Sequence, residues 1–124
     1  MRIFKYKNFA KWAKSENILD STLLEAAKEV KAGLVDANLG GSLCKKRVPR
    51  QGQGKRGGYR VLLAFQHGKH MFFLYGFPKS KQENISDEEK DVYLVLAKYL
   101  LMLTDKEISE WLRKQKLLEV NYES

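Results

Sequence analysis

Apolar and polar positions alternate from Arg2 to Lys5, with Ile3 between charged and aromatic neighbours, and this predicts an opening or edge strand. Trp12 and Ala13 follow Phe9 at spacings of three and four, so Asn8 to Ser15 reads as a short amphipathic helix packed on a sheet. Leu23, Leu24, Ala27 and Val30 form the stripe of a second helix, which Asp20 or Ser21 can cap and near whose end Gly33 stands. Gly40, Gly41 and Ser42 break the pattern, and Leu43 to Val48 follows as a short strand with Lys45 and Arg47 on one face. Pro49 to Gly58 holds almost nothing apolar and predicts a flexible exposed turn. Tyr59 to Phe65 and His70 to Phe77 suit strands, and the glycine turn between them makes an antiparallel hairpin. Pro78 closes it. Asp87, Glu88 and Glu89 occupy the first turn of a helix capped by Ser86 and running to about Met102, and Thr104 with Glu107 is the capping box of a last helix bearing Ile108, Trp111 and Leu112. The order is strand, two helices, three strands and C-terminal helices: an α+β domain with one small, mainly antiparallel sheet.

Composition narrows the class. With 124 residues, 44% hydrophobic, and neither repeat nor interdomain linker, the chain is expected to be one domain over 1–124, of which 105–124 is a helical extension. Twenty-three Lys and Arg against fifteen Asp and Glu leave a charge of +8, which favours a polyanionic or acidic partner. Cys44 is the single cysteine, so no intramolecular disulfide or multi-cysteine zinc site can form, and a cytoplasmic location is expected. Met1 to Lys14 lacks the apolar run of a secretion signal, and Val92 to Leu103, broken by Lys98, is too short to span a bilayer. A soluble protein with no membrane partner is expected.

Lys45, Lys46, Arg47, Arg50, Lys55, Arg56 and Arg60 fall within sixteen residues that contain no acid. Glycines there let the main chain approach a phosphodiester, and Arg can grip phosphate through two parallel hydrogen bonds. The plainer reading is a solvated turn whose lysines keep an edge strand from pairing with other chains. Binding is favoured because the cations come from two successive strands as well as the loop, and because Tyr59 lies among them. Stacking residues beside cations suit single-stranded RNA.

The stretch Gly52-Gln53-Gly54-Lys55-Arg56-Gly57-Gly58-Tyr59-Arg60-Val61-Leu62, followed by Phe72-Phe73-Leu74-Tyr75-Gly76-Phe77-Pro78-Lys79, resembles the central hairpin of RelE/ParE-superfamily toxins, most of all the HigB-like branch of type II toxin–antitoxin systems. The resemblance implies a RelE-like fold, with two N-terminal helices on the sheet and extra helices at the C-terminus. It further implies a ribosome-dependent endoribonuclease that cuts messenger RNA through attack of a ribose 2′-hydroxyl on the adjacent phosphate, with no metal or other cofactor. By the same resemblance Arg60 would be the transition-state clamp, Lys45 and Arg47 the base or charge stabilisers, and Lys79 a hold on the backbone. Lys46, Arg50, Lys55, Arg56, Tyr59 and Lys81 would contact RNA or the ribosome. A lysine base would need its pKa depressed by cationic neighbours. The implied partner is a cognate antitoxin, usually of helix-turn-helix type, that holds a monomeric toxin inactive in a hetero-oligomer. The chain departs from the ribonuclease pattern after Lys79, where Ser80, Lys81 and Ser86 stand near positions that hold an arginine and a tyrosine in other members. Tyr93 and Tyr99 lie farther along and read as helix core or surface.

Other features carry less. His67 and His70 flank a turn, where solvated side chains are the rule, although some HigB-like relatives use histidines. Cys44 reads as a buried small residue. Gly52, Gly54, Gly57 and Gly58 lack the Lys-Ser or Lys-Thr pair and the helix that a phosphate loop requires. Two alternatives remain beside the ribonuclease: a ParE-like gyrase poison, and a non-catalytic nucleic-acid-binding protein of phage origin.

Overall fold

A computed structural model describes residues 1–50, 54–78 and 85–121, with the backbone alone for 54–57. Strands β1 (Ile3–Tyr6), β2 (Ala37–Gly40), β3 (Leu43–Arg50), β4 (Gly54–Ala64), β5 (Met71–Pro78) and β6 (Leu117–Glu119) form one sheet in the order β2-β3-β4-β5-β1-β6. β1 and β5 run parallel and every other neighbouring pair is antiparallel. Helices α1 (Lys7–Ser15), α2 (Asp20–Lys31), α3 (Asp87–Leu101) and α4 (Asp105–Arg113) complete an α+β, RelE-like architecture.

Strand alternation divides the sheet into two apolar faces. Ile3, Cys44, Val48, Val61, Leu63 and Phe73 pack under α1 and α2 through Phe9, Ala13, Leu23, Ala27 and Val30. Phe4, Leu43, Leu62, Ala64, Phe72 and Leu74 pack under α3 and α4 through Ala97, Leu100 and Ile108. A register shift in β5 opposite Leu62 and Leu63 places Leu74 and Tyr75 together on the second face. Among the described residues no helix is long and apolar enough to cross a membrane.

Local chemistry accounts for most boundaries. Ser86 and Thr104 accept from the backbone N–H groups of Glu89 and Glu107, whose carboxylates reach back, so both expected caps are complete capping boxes. α2 differs: it begins at Asp20 behind Leu19, with no side-chain cap, because Asp20 is drawn to Lys5 at 2.8 Å and to the Asn121 N–H at 3.0 Å. Its far end is a Schellman turn, in which Gly33 (φ 88°) donates to Val30 and Leu34 to Glu29.

Three expectations are corrected. The turn expected over Pro49 to Gly58 is strand in its described residues, since β3 and β4 pair again at Arg50 opposite Gly54 after a register shift beyond Val48 and Tyr59. β2 is an additional edge strand on β3. The C-terminal extension is helical only to Arg113, after which β6 pairs with β1. Arg2 fastens that junction through two hydrogen bonds to Glu119, of 2.9 and 2.8 Å.

Two measurements test these contacts. A Cβ on Gly76 would run into the six-membered ring of Trp12, so Gly76→Ala should lower stability by about 1–3 kcal/mol, read from denaturant midpoints. The Arg2 hydrogen bond holds the Glu119 carboxyl below its ordinary range, against the opposing effect of burial. A depressed folded pKa adds stability above the unfolded value near 4.3, lost as pH falls through the folded value. Both side chains are over a third exposed, so Glu119→Gln should cost at most about 1 kcal/mol at pH 7, a cost that shrinks as pH falls below about 4.3 in denaturant midpoints taken against pH.

Candidate functional site

Opposed residues of an antiparallel pair share a face, and register therefore fixes what stands beside the cations of β3. Lys45 faces Leu62, which faces Tyr75; Arg47 faces Arg60, which faces Phe77. Leu62 belongs to the face under α3 and α4, so these two rungs, Lys45-Leu62-Tyr75 and Arg47-Arg60-Phe77, lie on that side. Lys45, Arg47 and Arg60, the expected catalytic cations of the hairpin, are thereby brought together.

Two guanidinium groups facing each other is an unfavourable arrangement, and the surroundings only partly relieve it. Arg60 is 5% exposed, and its Nη1 has no hydrogen-bond partner among the described residues. Burial lowers the Arg60 pKa, the charge of Arg47 lowers it further, and Asp36 opposes both. Asp36 sits in the connection before β2. Its Oδ1 lies 3.1 Å from Arg47 Nε, its Oδ2 accepts the Arg47 backbone N–H at 2.5 Å, and its own N–H donates to the Lys45 carbonyl at 2.9 Å. Arg47 thus has a carboxylate partner while Arg60 keeps an unsatisfied, still charged donor. An anion's oxygens could complete a buried donor in that state once a side-chain movement uncovers it.

The remaining cations are distributed differently from the sequence expectation. Lys46 was expected on the RNA-contacting surface, yet alternation turns it to the opposite face. There Nζ meets Glu29 at 2.7 Å and the Leu34 carbonyl at 2.8 Å, at the C-terminal end of α2, where a cation is favoured. Tyr59, expected to stack on RNA, is 4% exposed in the α1–α2 core, with Trp12 edge-on at 5.2 Å. Arg50 is exposed and lies over the Tyr59 ring at 5.6 Å. The side chains of Lys55 and Arg56, and all of Lys79 and Lys81, lie outside the described residues.

α3 adds aromatic groups to this face that spacing did not reveal. Tyr93, expected as an ordinary helix residue, stacks on Tyr75 at 5.1 Å, and Tyr75 meets Phe77 at 5.8 Å. Burial raises the Tyr75 pKa, with the charge and a hydrogen bond of Glu89 adding to it, and burial pushes Tyr93 up to about 12. Both phenols therefore keep their protons at neutral pH. The i, i+4 spacing of Glu89 and Tyr93 was the available signal, since it sets both on one side of α3.

The groups set aside on sequence grounds have ordinary structural roles. His70 accepts the Arg2 N–H at Nδ1 (3.1 Å) and stands edge-on to Phe4, and His67 stands edge-on to Phe65. Cys44 is buried, which pushes its thiol up to about 11, far from a reactive thiolate.

Residues 1–120 match the family model described as "RelE toxin of RelE / RelB toxin-antitoxin system". No curated protein matches the chain.

The unsatisfied guanidinium makes a prediction about stability. Replacing a buried, incompletely paired charge by an apolar side chain of similar length often stabilises a protein. Arg60→Met should therefore raise stability by about 1 kcal/mol. Thermal melts of the two proteins test this, and a melting temperature several degrees lower in the variant would contradict the account of Arg60 as an unfulfilled anion ligand.

Proposed function

The chain belongs to the RelE toxin family of the RelE/RelB toxin–antitoxin system, and we propose that it acts as a ribosome-dependent messenger RNA endoribonuclease. The observation that carries this reading is Arg60, buried opposite Arg47 with a guanidinium nitrogen lacking any partner among the described residues. A scissile phosphate supplies what that group lacks.

In this reading the ribose 2′-oxygen attacks the adjacent phosphorus, forming the O2′–P bond and breaking the P–O5′ bond. The products are a 2′,3′-cyclic phosphate and a free 5′-hydroxyl. Charge builds on the non-bridging oxygens as the phosphorane forms, and in this reading Arg60 turns its buried Nη1 toward them to donate in a site of low dielectric. Arg47 would join it by exchanging Asp36 for a phosphate oxygen. Lys45, on the neighbouring rung, takes the role of proton acceptor or second charge stabiliser. Lys79, next in sequence after β5, completes the set by holding the RNA backbone. The ribosome supplies the message in the orientation needed for in-line attack. A cognate antitoxin keeps the toxin silent, in this reading a helix-turn-helix protein bound to one toxin copy.

Brief expression of the chain, followed by primer extension on cellular messages, tests the proposal. New 5′ ends within translated frames are expected. They should also appear with purified ribosomes, vanish when ribosomes are omitted, and fall by about 100-fold or more in Arg60→Ala. Growth arrest with intact messages would favour a gyrase poison instead, and full cleavage by the variant would remove Arg60 from the chemistry.

A further inference from the structure

β1 is shorter than the strand it pairs with, and this leaves a gap in the sheet. Its register with β5 covers only Ile3 to Lys5 against Met71 to Phe73. The chain then turns into α1 at Lys7, so that the outer edge of β5 from Tyr75 to Pro78 has no strand beside it among the described residues. Beside that edge lies a cleft of about 350 Å³, lined by Asn8 and Trp12 from α1, Tyr75, Phe77 and Pro78 from β5, and Tyr93 from α3. Gly76 lets Trp12 form one wall, since only a residue without Cβ allows its ring to lie against the strand.

We propose that this cleft is a nucleobase-binding subsite, which takes the base next to the phosphate held at Arg60 and Arg47. The proposal rests on the ribonuclease reading and names where that enzyme would read RNA. Three observations support it. Phe77 is the direct cross-strand neighbour of Arg60, so the cleft begins one strand spacing, about 4.8 Å, from the anion site. A nucleotide spans such a distance between its phosphate and its base. Next, Trp12, Tyr75 and Tyr93 present part-exposed rings to the cleft, and such rings stack on any base. Finally, polar groups stand at the rim: Asn8 is exposed in the first turn of α1, and the Tyr93 phenol keeps its proton. An Asn amide pairs with base edges through a donor and an acceptor together. A peptide strand added to this edge fits less well, because Pro78 offers no N–H and a strand brings no phosphate to Arg60.

The chain has two tryptophans, so Trp111→Phe leaves Trp12 as the sole indole reporter. Trp111 packs against Tyr99 on the helical side and takes no part in the cleft. The probes are a 2′-O-methyl trinucleotide, which lacks the attacking hydroxyl, and the same molecule with its central base removed. Saturable quenching of Trp12 by the intact trinucleotide is expected, with roughly ten-fold weaker binding of the abasic one. Trp12→Leu should erase that difference, read from the anisotropy of labelled probe. Asn8→Asp, at an exposed position where folding is spared, should weaken the intact probe more than the abasic one. Equal binding of both probes with unchanged Trp12 emission overturns the subsite, while loss of that binding in Arg60→Ala would leave the ribonuclease reading standing. Failure of both probes to bind at millimolar concentration also overturns it, as does quenching by the cognate antitoxin but not by RNA.

Discussion

Arg47 and Arg60 repel each other across β3 and β4, and the sheet can hold them together only because something negative is kept near and because the surrounding core tolerates the cost. Asp36 provides the first condition. Its position is in turn set by the turn that ends α2, by the bond from its own N–H to Lys45, and by the short edge strand that follows. The second condition is met by the apolar rows on both faces of the sheet, which lie chiefly away from the cations. The apolar packing and the cation pair therefore occupy different parts of the same hairpin.

The two faces divide this work between them. Under α1 and α2 the only buried cation, among the described residues, is Lys46, and it is fully engaged by Glu29 and the Leu34 carbonyl. Under α3, Arg60 Nη1 has no partner among the described residues, and the part-exposed rings of Tyr75 and Tyr93 stand nearby. The chain belongs to a family of toxins that pair with an antitoxin. A rigid, self-satisfied opposite face allows Arg60 to keep an incomplete hydrogen-bond set without loosening the fold.

Elements with complete local signals were legible in the sequence. α3 and α4 announce themselves through Ser86 with Glu89 and Thr104 with Glu107, because a capping box needs only residues three apart. β2 and β6 gave no such signal: Ala-Asn-Leu-Gly and Leu-Leu-Glu are too short to show a period, and each is a strand only because a longer neighbour offers a free edge. The start of β4 was hidden in the same way, since a glycine- and cation-rich run carries no alternation and meets β3 only at Gly54, beyond a register shift. At the site, the period of two correctly joined Lys45 to Arg47. Carried one residue further, the same rule places Lys46 and Tyr59 on the other face. Asp36 and Tyr75 required cross-strand register, which no local spacing encodes, whereas Tyr93 left only its i, i+4 spacing from Glu89 as a hint.

The dependence on alternation has a consequence for how such a site can change by descent. A substitution in β3 alters one side chain, but a one-residue deletion upstream of Lys45 would exchange the roles of all its neighbours, aiming Lys46 at the anion and pressing Lys45 and Arg47 into the helices. Variation along this lineage should therefore accumulate as replacements within β3 and β4, with length changes confined to the connections outside them. The hairpin is a reading frame in three dimensions, and gaps within it are far more damaging than misspellings.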